Sequence, residues 1–208
     1  MYHEVPLSLR KYVEQEILPI HDNFDKAHRR DHILSVIDNC MLLAQHYPIN
    51  HSMIYAIAAF HDTGAGENRE LHHIISGNII RNDSNLRKWF TPEQIETMAQ
   101  AAEDHRASSN KEPRSIYGKV VAEADRDISK EKIVRRTIEY GLANNPSLNK
   151  EGHWQRTLQH LHEKYAEDGY IKLWLPQSPN QQHLEELRAL INNETELRKM
   201  FEALYKEL

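Results

Sequence analysis

The segment at residues 52–60, SMIYAIAAF, limits the possible folds most, because it is apolar on every side. A surface helix has one apolar face, whereas a helix that is apolar all round is buried. We therefore predict a central helix that is enclosed by other elements and ends near Gly64. His61 and Asp62 follow this segment directly, so an imidazole and a carboxylate stand where a buried helix ends.

Amphipathic helices elsewhere in the chain supply the expected enclosure. A helix from about residue 28 to 46 has an apolar face at α-helical spacing. The members of this face are Ile33, Val36, Ile37, Cys40, Met41 and Ala44. Another helix begins at Thr91, Pro92 and Gln94, which form a capping-box pattern. Residues 116–127 fit a helix or a buried strand, and the helical context favours a helix.

The pattern as a whole predicts an all-α fold. Residues 130–208 contain three or four amphipathic segments, and only LWLP among them resembles a strand. A length of 208 residues fits one domain. We predict a single domain over residues 1–208, with a core at about 24–128 and a helical C-terminal extension at about 129–208.

Composition excludes several classes of protein. The chain is 39% hydrophobic and 27% charged with a net charge of -5, which is typical of a globular protein without an extended nucleic-acid surface. No apolar run approaches the roughly 18 residues needed to cross a bilayer, and the first residues lack a signal-peptide pattern. The single Cys40 cannot form an intrachain disulfide. We therefore expect a cytoplasmic protein without a membrane partner.

The pair His61 and Asp62 needs partners if it is buried. A buried carboxylate is costly unless it is paired, and a divalent cation held by both side chains would compensate for their burial. His32 begins the apolar face of the 28–46 helix, and Asp125 stands where another apolar segment turns polar. Two imidazoles and two carboxylates suit Mn, Fe, Co, Zn or Mg. The alternative is a set of separate buried polar groups and a helix cap.

A second His-Asp pair, His21 and Asp22, lies in the polar stretch PIHDNFD. No apolar helix surrounds it, and polar residues are mostly exposed. We interpret this pair as solvated surface.

The order of these motifs resembles a known family. Three motifs follow one another: His32 lies in HRRDHILSVI, His61 and Asp62 lie in AAFHDTG, and Asp125 lies in VAEADRD. Together these motifs resemble the HD-domain superfamily of metal-dependent phosphohydrolases over about residues 24–128. The resemblance implies an HD-domain-like helical bundle in which these four residues bind metal and Asp62 can bridge to a second ion. The expected cofactor is one or two divalent ions of Mn, Fe, Mg, Ni, Co or Zn.

The family pattern also implies further histidines. His72 or His73, together with His105, would bind a second metal or contact the phosphate of the substrate, and the spacing leaves the choice between His72 and His73 open. The Gly-Lys that follows the pair in many relatives is replaced here by Thr63 and Gly64. The Gly-Tyr-Pro element of cyclic-di-GMP phosphodiesterases is missing, so that substrate is unsupported.

Several basic residues are candidates for binding the substrate. His28 lies one turn before His32, Arg106 follows His105, and Arg69 follows the glycines. Guanidinium groups bind phosphate in a planar, bidentate manner. The expected reaction is hydrolysis of a phosphoester or phosphoanhydride in a small, nucleotide-like molecule by metal-activated water. Asp62 and His105 are the predicted catalytic residues, and His105 or His73 would protonate the leaving group.

Two other functions stay open at this point. Some members of the superfamily hold two irons and oxygenate their substrates, and the additional histidines are compatible with that chemistry. A non-catalytic sensor or interaction module would hold the metal in a closed coordination shell. In such a module the C-terminal helices could form a homodimer interface, although amphipathic helices are equally well explained by covering the core.

Overall fold

The computed structural model describes residues 3–24, 29–68, 70–106 and 111–208. Within these ranges the chain forms ten α-helices and no strand, which confirms the all-α prediction. None of the described helices combines the length and the apolar character needed to span a membrane.

The chain divides into two compact units, Met1–Asp125 and Arg126–Leu208. The helices of the first unit are α1 (Leu7–Tyr12), α2 (Arg30–Ala44), α3 (His51–Phe60), α4 (His72–Asn82), α5 (Pro92–Asp104) and α6 (Ile116–Ala124). Those of the second unit are α7 (Lys130–Asn144), α8 (Lys150–Tyr165), α9 (Asn180–Ile191) and α10 (Glu194–Glu207). The single domain that we expected from the length stays a prediction.

Helix α3 is the buried centre of the first unit. Every residue from Met53 to Phe60 is buried, as the apolar segment predicted. Helices α2, α5 and α6 pack around it, and α2 presents the predicted apolar face from Ile33 to Ala44. An all-round apolar helix therefore fixes the positions of its neighbours, and its C-terminal end brings His61 and Asp62 among them.

The local sequence signals of α5 and α6 are also confirmed. The Thr91 hydroxyl accepts a hydrogen bond from the Gln94 amide, and the Gln94 side chain accepts one from the Thr91 amide. Pro92 occupies the first turn of α5. The segment that fitted either a helix or a strand forms the helix α6, which Ser115 caps through its side chain.

Helices α4 and α5 approach each other closely at Gly77. A Cβ atom at this position would lie 2.7 Å from Cγ of Glu103 and 3.0 Å from the Ala99 carbonyl oxygen. The Glu103 carboxylate accepts hydrogen bonds from Arg81 at 2.5 Å and from Arg114 at 2.6 Å. This contact places the middle of α4 against the C-terminal half of α5.

We predict that Glu103→Gln lowers the free energy of unfolding by about 1 to 2 kcal/mol at pH 7, because two charge-assisted hydrogen bonds weaken. Burial alone would raise the pKa of Glu103, but Arg81 and Arg114 lower it below its usual value of 4.5. A lowered pKa stabilises the fold above the unfolded-state value, and this contribution disappears as the pH falls through the folded-state value. Urea denaturation should therefore show a smaller difference at pH 3.5 than at pH 7.

The control for this prediction is Glu112→Gln, since Glu112 forms an exposed ion pair with Lys119. Exposed pairs contribute about 0 to 1 kcal/mol. Equal losses for Glu103→Gln at the two pH values would contradict the role of the ionised carboxylate.

The second unit has its own apolar core. Trp154 of α8 packs edge to face against Phe201 of α10, with ring centroids 5.3 Å apart. Ile138, Leu161, Leu187 and Leu197 are among the other fully buried members of this core. The predicted helical extension is thus formed by helices that bury their amphipathic faces against one another.

Candidate metal centre

His61 and His105 have the same local geometry at the ends of two helices. His61 follows α3 and its Nδ1 lies 2.8 Å from the Ala58 carbonyl oxygen, whereas His105 follows α5 and its Nδ1 lies 2.5 Å from the Ala102 carbonyl oxygen. A carbonyl oxygen only accepts, so Nδ1 carries the hydrogen in both rings. Nε2 is therefore the atom that remains to bind a proton or a metal ion.

The first group of candidate ligands consists of His32, His61, Asp62 and Asp125. Nε2 of His32 lies 3.0 Å from Oδ1 of Asp125 and 3.7 Å from Oδ2 of Asp62. Nε2 of His61 lies 3.2 Å from Oδ2 of Asp62 and 3.7 Å from Oδ1 of Asp125. The four ligand atoms all lie within 4.8 Å of one another. The fold thus brings together four residues that are as much as 93 positions apart in the chain.

The second group consists of Asp62, His72 and His105, so Asp62 belongs to both groups. Its Oδ1 atom lies 3.3 Å from Nε2 of His72 and 3.3 Å from Nε2 of His105. The two imidazole Nε2 atoms are 3.1 Å apart. One carboxylate therefore directs Oδ2 to the first group and Oδ1 to the second, as expected of a ligand that bridges two ions.

His73 stands beside this second group but does not belong to it. Its ring contacts that of His72, with centroids 5.5 Å apart. Burial, together with the nearby His105, His72 and Arg106, lowers the pKa of His73 to about 4. The imidazole of His73 is therefore neutral near pH 7.

The donor set fits a divalent cation. Among the described residues, Nε2 of His61 and Oδ1 of Asp62 are buried and form no hydrogen bond. Buried polar atoms without partners are costly, and a cation in each group would supply the missing partner. Imidazole nitrogens mixed with carboxylate oxygens are the ligands of Mn, Fe, Co and Zn sites.

The electrostatics of the groups also favour cation binding. Burial alone would raise the pKa values of both carboxyl groups. His61 and His105 hold the pKa of Asp62 well below its ordinary value, and His32 and His61 do the same for Asp125. Burial lowers the pKa of His61, but the two carboxylates outweigh it and raise that pKa well above the ordinary value. A cation that binds Nε2 of His61 therefore competes with a proton.

The C-terminal ends of three helices also contribute to the electrostatic potential at the two groups. His61, His105 and Asp125 each follow the last residue of a helix, namely α3, α5 and α6. The C-terminus of a helix carries a partial negative charge of about half an elementary charge, which favours a nearby cation. His32 and His72 come from the first turns of α2 and α4. Five helices therefore contribute to one small volume.

Three of the candidate ligands are partly exposed. The side chains of His61 and Asp62 are 0% and 4% exposed, whereas those of His32 and Asp125 are 22% and 21% exposed. His72 is 12% exposed. His32, Asp125 and His72 are therefore the candidate ligands through which solvent touches the two groups.

The structure places the remaining predicted residues as follows. Arg106 directly follows His105, is partly buried and donates a hydrogen bond from Nη1 to the Glu70 carbonyl oxygen at 2.9 Å. Arg106 therefore lies near the start of α4 and beside the second group. His28 and Arg69, which we expected to bind the substrate, lie outside the described residues.

Sequence reasoning missed the link between the loop after Asp62 and α4. The Gly64 amide donates to the buried hydroxyl of Ser76 at 3.0 Å. A Cβ atom on Gly64 would lie 2.4 Å from the His72 carbonyl oxygen. We expected Gly64 only to end a helix, but none of the described glycines has a positive φ. Its role is steric, because the missing side chain lets the loop touch the start of α4.

The first unit is thus an all-α domain in which two groups of possible metal ligands share one aspartate. Residues 29–128 match the family model of the HD domain, so this region of the chain is identified as an HD domain. The resemblance seen in the sequence is thus confirmed. The family consists generally of metal-dependent hydrolases, whose HD domains bind divalent metals. No curated protein and no solved structure matches the chain significantly.

Proposed function

We propose that this chain is a phosphohydrolase that uses two divalent ions to cleave a phosphoester or a phosphoanhydride. The observation that carries the proposal is the position of Asp62, whose two oxygens face two separate groups of ligand atoms. His32, His61 and Asp125 would complete the first position, and His72 and His105 the second. Bound divalent ions would polarise a phosphoryl oxygen and lower the pKa of a water molecule.

The residues around the two groups support a phosphate ligand. Arg106 keeps Nη1 on the Glu70 carbonyl oxygen, and the other donors of its guanidinium could bind an anion beside the second group. His73 lies next to His72 and offers a neutral ring for a hydrogen bond to phosphate. The net charge of -5 disfavours a large polyanion. These features favour a small phosphorylated molecule as the substrate, and we propose that it is nucleotide-like.

The experiment combines elemental analysis of the purified protein with a phosphate-release screen over nucleotides and small phosphoesters. We expect two divalent ions per chain and release of phosphate that Mn, Mg, Ni, Co or Zn restores after chelation. A chain that retains no metal and releases no phosphate from any substrate would contradict the proposal.

Two neighbouring histidines provide a matched pair for the second position. His72→Ala should reduce the metal content from two ions to one, because Nε2 of His72 faces Asp62 at 3.3 Å. His73→Ala should keep both ions and instead weaken substrate binding. Loss of an ion from His73→Ala alone would show that the proposed second position is wrong.

A second candidate function is oxygenation by a di-iron centre. The six residues of the two groups support it as well as they support hydrolysis, since imidazoles and carboxylates are also ligands of iron. Two redox-active irons together with consumption of O2 would favour the oxygenase. A non-catalytic module would need a closed coordination shell, and the exposure of His32 and Asp125 argues against one.

A further inference from the structure

His21 lies in the interior of the first unit, outside the residues that match the HD-domain family. It belongs to a short 3-10 helix, Leu18–Asn23, and its side chain is 0% exposed. Our interpretation of this histidine as solvated surface is therefore wrong, whereas Asp22 is exposed as expected. The sequence did not reveal the burial because the contact that causes it is made 38 residues further along the chain.

That contact is a hydrogen bond at the end of α3. Nε2 of His21 lies 3.1 Å from the Ala59 carbonyl oxygen, so it donates to a group that the helix itself leaves without a partner. The neighbouring carbonyl oxygens of Ala58 and Phe60 accept from His61 and Thr63. His21 thus completes the capping of the helix end from which the ligands His61 and Asp62 project.

Asp22, the next residue, makes a corresponding contact with the beginning of α2. Its two carboxylate oxygens accept from Nε and Nη2 of Arg30 at 2.8 and 2.7 Å, in a bidentate pair. Arg30 is the first residue of α2, and the ligand His32 follows two residues later. The same short helix therefore touches the elements that carry three of the four ligands of the first group.

Phe24 supplies a third contact. Its ring lies against Gly66, where a Cβ atom would come within 2.7 Å of Cε1, and it packs edge to face on the His21 ring at 5.3 Å. Gly66 ends the 3-10 helix that follows Asp62. The residues on both sides of the His61 and Asp62 pair are thus held by one segment of the chain.

We infer that His21, Asp22 and Phe24 form an N-terminal clamp that positions His32 against His61 and Asp62 for metal binding. The clamp residues are positioning residues, since they touch the elements that carry the ligands rather than the ligand atoms. This inference relies on the proposed function only in assuming that the first group binds a divalent ion. Groups that orient metal ligands typically change metal affinity about 10- to 100-fold when they are replaced.

The test is a titration of the metal-free protein with Co²⁺. The visible absorption of the bound ion measures the binding and also reports the coordination geometry. We compare the wild type with His21→Leu, which removes the hydrogen bond, and with His21→Gln, whose amide nitrogen can donate in place of Nε2. His21→Leu should bind Co²⁺ about 10-fold more weakly and with an altered spectrum. His21→Gln should restore most of the affinity and the original spectrum.

A matched control separates positioning from general stability. His153 is also a buried histidine, but it belongs to the second unit. His153→Leu should leave the Co²⁺ affinity and spectrum unchanged, whatever its effect on the melting temperature. Equal loss of Co²⁺ affinity in His153→Leu and His21→Leu would overturn the inference, as would equal behaviour of His21→Leu and His21→Gln.

Asp22, the exposed residue of the clamp, provides the test if His21→Leu does not fold. Asp22→Asn loses only a surface ion pair, so it should fold and bind Co²⁺ about two- to fivefold more weakly. Unchanged Co²⁺ affinity in Asp22→Asn would then overturn the inference. A wild-type chain that binds no Co²⁺ would overturn the proposed metal centre as well, whereas normal binding by the wild type and all clamp variants would overturn the clamp alone.

Discussion

Asp62→Asn is expected to abolish retention of both metal ions and to lower turnover on the order of 10³-fold or more, as when one member of a cooperating catalytic unit is removed. The reason is that its two carboxylate oxygens face different groups. Oδ2 lies 3.2 Å from Nε2 of His61, whereas Oδ1 lies 3.3 Å from Nε2 of His72 and 3.3 Å from Nε2 of His105. An amide keeps the shape of the side chain but loses the negative charge and one oxygen. Elemental analysis and the phosphate-release assay measure the two effects.

Asp127→Asn is the control for this prediction. Asp127 follows Asp125 by two residues and pairs with the exposed Lys132, so its carboxylate belongs to neither group. This variant should keep its metal content and turnover. Full turnover and two bound ions in Asp62→Asn would contradict the bridging role of Asp62.

The second large effect is expected for Gly64→Ala. The added Cβ atom would lie 2.4 Å from the His72 carbonyl oxygen and 2.9 Å from the Ser76 amide nitrogen, and neither backbone atom can move without shifting α4. Overpacking of this kind costs about 1 to 3 kcal/mol, and the shift would carry His72 away from Asp62. Urea denaturation should show the destabilisation, and elemental analysis should show loss of the second ion before the first.

Gly66→Ala is the matched control, because it adds the same methyl group two residues later. Its Cβ atom would meet the ring edge of Phe24, which can shift, rather than backbone. We therefore expect a loss below about 1 kcal/mol and a second ion that is held as in the wild type, because any effect of moving Phe24 would fall on the first group, which the clamp positions. Similar behaviour of Gly64→Ala and Gly66→Ala would contradict the steric role of Gly64.

All four residues of the first group could be predicted, because each stands where an apolar segment begins or ends. His61 and Asp62 follow a segment that is apolar on all sides, Asp125 ends another apolar segment, and His32 begins an apolar face. Where a buried helix ends, the helices packed around it are still close. Polar residues at such an end therefore contact residues of those helices. Their function as metal ligands stays a prediction, although their proximity is now described.

The second group could be predicted less well because His72 and His73 are adjacent. Successive residues of a helix project about 100° apart, so only the rotation of α4 decides which imidazole faces Asp62. That rotation depends on the close contact at Gly64 and on the packing of Gly77 against α5. Neither contact has a signature in the local sequence. His21 was misinterpreted for the same reason, since its acceptor comes from a distant helix.

Sharing of the Asp62 carboxylate means that the two ions would not load independently. An ion at the first position fixes the orientation of Oδ2 and thereby that of Oδ1, while its charge repels a second cation across the same carboxylate. Occupancy at either position must alter affinity at the other by the same factor, as reciprocity of coupled equilibria demands. Emptying the second position, as in His72→Ala, should therefore change the affinity with which the first position holds its ion.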